Sequence, residues 1–267
     1  MALAVLAGLN VAQAQEAAVQ PAETLKEEPA FARHFVRADV VGTFVLYNPA
    51  EASYRVHDAQ RASQRFIPAS TFKIPNTLIA LETGAVLSVD EKLPWDGEER
   101  WYDAWNQDHS MRTGFPVSAV WLYQELARRI GDETMSRMLR SFGYGNAQTS
   151  GGVDRFWLDG GLRISAVEQV QFLQMLHEGR LPISSGNLAQ FEDIAIESQS
   201  SDHTLRSKTG WAVLDGPDIG WYVGYVESKG EAQYLALNID MDGQADAPAR
   251  VAIAHGILEA AGLLGGD

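Results

Sequence analysis

Apolar positions along this chain form strand-like segments near both ends and helix-like segments between them. Short runs rich in β-branched and aromatic residues predict strands over residues 40–46, 54–57, 204–208, 220–227 and 234–240. Helical periodicity with capping and glycine signals predicts helices over residues 24–37, 70–84, 118–130, 132–142, 165–178, 186–197 and 249–261. Pro29 is tolerated only in a first helical turn, so the first helix is expected to begin near it. Residues 90–116 show no clear period and predict a surface loop.

This order of elements predicts an α/β chain of the α+β type. Strands from the two ends are expected to form one antiparallel sheet flanked by the terminal helices, and the central helices an all-helical lobe. The strand that ends at Lys208 would border a cleft against the helix that starts at Ser70. A chain of 267 residues can bury a sizeable core in one or two closely packed domains.

Ser70 and Lys73 are the first candidates for chemistry. Residues three apart in a helix share one face, so these two side chains can meet. A serine needs a base to become a strong nucleophile, and a lysine can be that base only if burial or a nearby cation lowers its pKa. The apolar run after Lys73 predicts such burial. Alone, the pattern is weak, because serine and lysine are common residues.

Composition excludes several other functions. The net charge of -14 argues against a nucleic-acid partner, since no basic patch is available to bind phosphates. The absence of cysteine excludes disulfides, thiol catalysis, cysteine–zinc sites and a lipoprotein anchor. The six histidines show no metal-ligand spacing, so we predict no metal site and read them as structural or surface residues.

Residues 1–14 have the character of a secretory signal peptide. An apolar stretch over residues 2–12 leads into Ala12-Gln13-Ala14, a small-residue cleavage pattern, and cleavage is expected after Ala14. No Lys or Arg precedes the stretch, so its charged start is expected to be truncated. The stretch is too short to cross a bilayer. The pattern predicts export to a bacterial periplasm without a membrane anchor; a merely disordered N terminus is the alternative.

Further motifs accompany the Ser70 pattern in a fixed order. They are Ser118-Ala119-Val120, Tyr144-Gly145-Asn146, Phe156-Trp157-Leu158, Arg163-Ile164-Ser165-Ala166 and Lys208-Thr209-Gly210. Together with the aromatic strand 220–227 they resemble the class D, or oxacillinase-type, serine β-lactamases from about residue 35 to the C terminus. A class A enzyme would instead carry Ser-Asp-Asn at Ser118-Ala119-Val120.

The resemblance implies the transpeptidase fold of penicillin-binding proteins and β-lactamases, with residues 15–267 as a single catalytic domain of two lobes. It also implies hydrolysis of the β-lactam amide bond of penicillin-type antibiotics, which confers resistance to them. The expected partners are small-molecule β-lactams, and the protein is expected to be a monomer or a homodimer.

The resemblance further implies a role for each motif. Ser70 would attack the lactam carbonyl, and Lys73 would carry carbon dioxide as N6-carboxylysine and serve as general base. Trp157 would donate its indole N–H to that group. Ser118 would relay a proton to the departing nitrogen, assisted by the positive charge of Lys208. Carbon dioxide or bicarbonate is therefore required, and no other cofactor is expected.

The remaining motif residues would bind substrate. Thr209 and Arg250 would hold its carboxylate, although a surface arginine is the alternative for Arg250. Gly210 would let the strand approach closely, and the backbone N–H groups of Ser70 and Trp211 would form the oxyanion hole. Substrate contacts are also expected at the apolar neighbours of Lys73, which are Val120 and Leu158, while the Tyr144 motif would shape the pocket wall.

Two other functions share these motifs. A β-lactam sensor domain would be acylated at the serine and would then hold the adduct. A peptidoglycan D,D-peptidase would need room for a peptide stem and usually carries extra domains. Only the hydrolase turns over many β-lactams per molecule. The number of β-lactam molecules consumed by each protein molecule therefore separates the three functions.

Overall fold

The computed structural model describes residues 24–265. The predicted signal peptide and its cleavage site at Ala14 lie outside the described residues. Across residues 24–265, none of the helices has the length and apolar character needed to cross a membrane.

Seven strands within the described residues form a single sheet. In chain order they are β1 (Leu25–Glu27), β2 (Gly42–Asn48), β3 (Ser53–His57), β4 (Ile196–Gln199), β5 (His203–Ala212), β6 (Asp218–Ser228) and β7 (Glu231–Met241). Their order across the sheet is β1-β3-β2-β7-β6-β5-β4. All neighbours pair antiparallel except β1 and β3, which are parallel. The prediction of one antiparallel sheet built from both ends of the chain is confirmed.

Helices cover both faces of this sheet. Those of the described chain are α1 (Pro29–Ala38), α2 (Ala59–Ser63), α3 (Lys73–Glu82), α4 (Met111–Gly114), α5 (Val120–Ile130), α6 (Asp132–Phe142), α7 (Ala166–His177), α8 (Ser185–Ile194) and α9 (Ala249–Ala260). The terminal helices α1 and α9 form one apolar core with the sheet, and the central helices form a larger core on the opposite face. The predicted division into flanking terminal helices and a helical lobe is therefore confirmed.

Side chains of the central strands alternate between the two faces of the sheet, and this explains why these strands are apolar throughout. On β6, Val223 and Tyr225 enter the core of the helical lobe, whereas Tyr222 and Val226 enter the core under α9. Successive side chains of a strand point to opposite faces, so a sheet covered on both faces selects apolar residues at every position.

Two segments expected to be helical are partly strand. Within residues 24–37 the helix begins at Pro29, as the proline predicted, whereas the preceding Leu25–Glu27 pairs with β3. The Glu28 side chain caps α1 by accepting a hydrogen bond from the backbone of Ala30. The helix expected over residues 186–197 ends at Ile194, and the chain then enters the edge strand β4.

Two further differences lie near the cleft. The helix expected from residue 118 begins at Val120, because Ser118 has a φ of 57° and cannot be helical. Within residues 90–116, expected to be irregular, the chain forms the short helix α4 and a 3₁₀ turn at Asp103–Trp105.

Candidate active site

Ser70 and Lys73 meet at the junction of two helical segments. A 3₁₀ turn over Ala69–Phe72 leads directly into α3, which Lys73 begins. The Lys73 Nζ donates a hydrogen bond to the Ser70 Oγ at 3.0 Å. Ala69, just before the serine, has a φ of 48° and donates its N–H to the carbonyl of Trp157. Such a conformation is strained for a residue with a Cβ, and strain of this kind concentrates at functional sites.

The Lys73 side chain is fully buried. Its Nζ lies 5.0 Å from the centre of the Tyr123 ring. Burial lowers the pKa of Lys73 well below its ordinary value, and the nearby charge of Lys208 acts in the same direction. The amine is therefore held toward its neutral form, which is the form that can accept the serine proton.

Trp157 is fully buried and stacks on Phe72, with ring centres 5.0 Å apart and planes 24° apart. Its indole Nε1 has no hydrogen-bond partner among the described residues. An unpaired buried donor costs about 1–3 kcal/mol. Tyr144, expected in the pocket wall, instead packs behind Phe72 with ring centres 6.0 Å apart.

Lys208 lies on β5, almost fully buried, with its Nζ 5.6 Å from the centre of the Phe115 ring. Burial, with a further contribution from the charge of Arg250, lowers the pKa of Lys208 to about 7, against the opposing effect of the Glu197 carboxylate. A lysine in this setting can change its charge near neutral pH.

Gly210 lets β5 pass close to the nucleophile. A Cβ at this position would lie 3.0 Å from the carbonyl oxygen of Pro68 and 3.1 Å from the Thr71 side chain. Both atoms belong to the segment that carries Ser70, so any larger residue would push the strand away from it. This close approach explains the glycine of the Lys208-Thr209-Gly210 motif.

Arg250 reaches the cleft from the first turn of α9. Its Nη1 donates to the carbonyl of Gly210 at 2.5 Å, and its Nε donates to the carbonyl of Ala247 at 2.8 Å. A Cβ on Gly220 would lie 2.8 Å from the Arg250 side chain, so this glycine provides the space for it. Burial lowers the pKa of Arg250 to about 10. The arginine is half-buried at the cleft, not free on the surface.

These elements enclose a cleft of about 500 Å³. It is lined by eight of the residues predicted for the site, namely Ser70, Ser118, Val120, Leu158, Thr209, Gly210, Trp211 and Arg250. Lys73, Trp157 and Lys208 are buried. Ser118 borders the cleft in a left-handed conformation and is not the N-cap of α5, which is Ala119.

An aromatic rim borders this cleft, and sequence reasoning did not identify Trp101 and Tyr102 as part of it. Trp101, Tyr102 and Trp105 line it on one side, and Val213 lines it as well. The Trp101 side chain is 74% exposed and Val213 is 75% exposed. The density of tryptophan within residues 90–116 was the available signal, but a loop without periodicity does not indicate which surface it covers.

Comparisons with known proteins agree with this geometry. The penicillin-binding protein transpeptidase domain matches residues 42–259. The β-lactamase OXA-10 of Pseudomonas aeruginosa is 38% identical, over 92% of this chain and 93% of that protein. The crystal structure of the class D β-lactamase YbXI from Nostoc superposes with a TM-score of 0.86 at 43% identity, over 88% of this chain and 99% of that one. The regulatory protein BlaR1 of Bacillus licheniformis is 32% identical, over 87% of this chain but 39% of that protein.

Proposed function

The chain belongs to the class D β-lactamases, and on this premise we propose that it hydrolyses the amide bond of penicillin-type β-lactams through an acyl-enzyme on Ser70. The observation that carries the proposal is the 3.0 Å hydrogen bond between the Ser70 Oγ and the fully buried amine of Lys73, which joins a hydroxyl of the cleft to a base. A penicillin-sized molecule fits the cleft of about 500 Å³.

The cleft residues divide the chemistry between them. The Ser70 oxygen bonds to the lactam carbonyl carbon, and the backbone N–H groups of Ser70 and Trp211 stabilise the oxyanion that forms. The carbon–nitrogen bond then breaks. The departing nitrogen receives, through Ser118, the proton that Ser70 lost. Water afterwards attacks the ester, giving the opened product and free Ser70. Arg250 and Thr209 hold the substrate carboxylate during both steps.

The surroundings of Lys73 fit a carboxylated amine. A neutral amine is the form that adds carbon dioxide, and burial holds Lys73 toward that form. The buried Nε1 of Trp157 is a donor without an acceptor among residues 24–265, so it is available to a carboxylate formed on Lys73. When bound, the carboxyl group would supply anionic oxygens that can accept the proton of the serine hydroxyl. Phe72 and Trp157 are both fully buried and stack on each other, in keeping with a dry setting at the start of α3.

A turnover count tests the proposed function. We expect the protein to hydrolyse many equivalents of a penicillin per molecule, and Ser70→Ala to lower kcat by about 10⁴-fold or more while the melting temperature is kept. Mass spectrometry of the quenched enzyme should show a penicilloyl adduct on Ser70. A single equivalent consumed with a lasting adduct would indicate a sensor, which the likeness to BlaR1 makes the relevant alternative.

We also propose that the protein acts in the periplasm after removal of residues 1–14. The support is the Ala12-Gln13-Ala14 pattern that follows an apolar stretch. N-terminal sequencing of the protein from a periplasmic extract should begin at Gln15. Recovery of the protein with residue 1 intact, in the cytosol alone, would contradict export.

A further inference from the structure

The motif Arg163-Ile164-Ser165-Ala166 does not line the cleft, and the proposed reaction gives it no role. The structure nevertheless places it beside the segment that carries Ser70. The backbones of Ile164 and Phe66 exchange two hydrogen bonds, each of 2.9 Å, and Phe66 lies four residues before the nucleophile. The motif therefore fixes the start of α7 relative to the chain that leads into Ser70.

A capping box makes the start of α7 rigid. The Ser165 side chain accepts a hydrogen bond from the backbone N–H of Glu168, and the Glu168 side chain accepts one from the backbone N–H of Ser165. Gln169 follows at once and donates its own backbone N–H to the Ser165 carbonyl at 2.9 Å. The Gln169 side chain therefore starts from a fixed point on a rigid element.

The Gln169 side chain is fully buried. Its Nε2 donates a hydrogen bond to the Oγ1 of Thr71 at 3.0 Å, whereas its Oε1 has no hydrogen-bond partner among residues 24–265. The neighbouring residues Val170, Phe172 and Leu173 of α7 belong to the apolar core. A buried amide with an unpaired oxygen is costly, so packing alone would favour an apolar residue at this position. What the amide adds is its contact with Thr71.

Thr71 passes this contact to the chain around the nucleophile. Its hydroxyl donates to the carbonyl of Pro68 at 2.8 Å, and its backbone N–H donates to the same carbonyl at 3.2 Å. Because the hydroxyl hydrogen is engaged in this way, the Oγ1 accepts from Gln169. These bonds close the turn that contains Ser70 and Ala69, which we call the nucleophile turn. Ala69 has a φ of 48°, and a residue in such a conformation persists only where its surroundings hold it.

We propose that Gln169 is a positioning residue for the reaction. Through Thr71 it holds the strained nucleophile turn in the conformation that keeps the Ser70 Oγ beside the Nζ of Lys73. This inference rests on the proposed hydrolase function. Gln169 does not line the cleft, so its effect on the reaction passes through Thr71. A displacement of a reacting atom by about 1 Å can cost about 10²-fold in rate, so a bond that fixes the turn matters to turnover.

Gln169→Met tests this role, because it keeps an unbranched side chain of similar size and removes the amide. We expect kcat and kcat/KM for a penicillin to fall alike, by about 10-fold, since the residues that bind substrate are untouched. The melting temperature should stay the same or rise, because an unpaired buried oxygen is removed and Thr71 keeps its bond to Pro68. A lower melting temperature with unchanged kcat would show that Gln169 serves only the fold, and would overturn the proposal.

Variants of Thr71 test the path of the effect. Thr71→Val keeps the shape of the side chain without its hydroxyl and should lower kcat by about 10- to 100-fold, whereas Thr71→Ser keeps the hydroxyl and should restore most of that loss. Gln169→Met should cause no further loss when it is added to Thr71→Val, since the two side chains act through one bond. Losses that multiply in the double variant would overturn the proposed path.

Thr43→Val is the matched control for Thr71→Val. The Thr43 hydroxyl is equally buried and also donates to a backbone carbonyl, that of His57, but it lies on β2 and outside the cleft lining. Both valine variants lose a buried hydrogen bond and should have lower melting temperatures. Only Thr71→Val should lose activity; an equal fall of kcat in Thr43→Val would overturn a specific role for the Gln169–Thr71 contact.

Crystal structures of the variants separate this inference from the proposed function. In Gln169→Met and Thr71→Val, Ala69 should leave its positive φ and the Ser70 Oγ should move by about 1 Å from its place beside Lys73, whether or not the enzyme turns over penicillin. An unchanged nucleophile turn in both variants would overturn the role of Gln169. A displaced turn, together with a wild type that turns over no penicillin, would overturn only the hydrolase function.

Discussion

The two buried lysines of the active site have pKa values lowered chiefly by burial, but they differ in the charges around them. Lys73 lies at the start of α3 against the ring of Tyr123, and burial with a like charge from Lys208 lowers its pKa. Lys208 lies on β5, where burial and then the charge of Arg250 lower its pKa to about 7, against the opposing effect of Glu197. Lys73 is therefore held toward the neutral form that a base needs, whereas Lys208 can change its charge near neutral pH.

The largest predicted effect is a difference in the loss of activity when each of the two lysines is replaced. Lys73→Met removes the base and should lower kcat by about 10³- to 10⁵-fold. Lys208→Met removes a charge that assists but does not bond to the nucleophile, so the loss in kcat/KM should be about 10- to 10³-fold. Steady-state penicillin hydrolysis measures both, with the exposed Lys92→Met as control. Equal losses in the two variants would contradict the division of roles.

Arg250→Ala addresses the cation beside Lys208. It removes a charge that binds the substrate carboxylate alike in the ground and transition states, so KM should rise about 10- to 100-fold with kcat changed little. Arg37→Ala, on the exposed face of α1, is the control. A fall in kcat at constant KM would show that Arg250 has another role.

A smaller effect should appear in stability. The pKa of Lys208 is about 7 in the folded protein against an ordinary value of 10.5, so between these values the unfolded chain binds more protons. The contribution of Lys208 to the free energy of unfolding therefore rises as the pH increases from about 7 to 10.5. It is lowest below pH 7. Lys208→Met should raise the melting temperature by several degrees at pH 6 and by much less at pH 10. A gain of equal size at both pH values would mean that only packing has changed.

Local chemistry was predictable from the sequence where it depends on short spacing. Ser70 and Lys73 stand one helical turn apart, and the turn itself brings their side chains together. Gly210 was predictable for a different reason, because the approach of a strand to a ligand or another backbone demands a small residue.

Features made by distant parts of the chain were not predictable. Leu25–Glu27 is a strand only because β3 is available beside it. The left-handed conformation of Ser118 leaves no mark in composition, since serine carries no preference for it. Gln169 and Thr71 are 98 residues apart, and no periodicity relates the start of α7 to the nucleophile turn. Gln169 was not singled out on sequence grounds.

The central claim is that a dry site holds Lys73 neutral and so lets it carry a carboxyl group. The most direct measurement is carbon-13 NMR of the enzyme in labelled bicarbonate, with Lys73→Met as the blank and Trp157→Phe as the variant that keeps an aromatic ring but loses the Nε1 donor. We predict a carbamate signal in the wild type, a weaker one in Trp157→Phe and none in Lys73→Met. Bicarbonate should also restore the activity of a degassed enzyme, and more strongly in mild acid than in mild alkali. No signal, with a degassed enzyme of unchanged rate, would contradict it and leave a free lysine as the base.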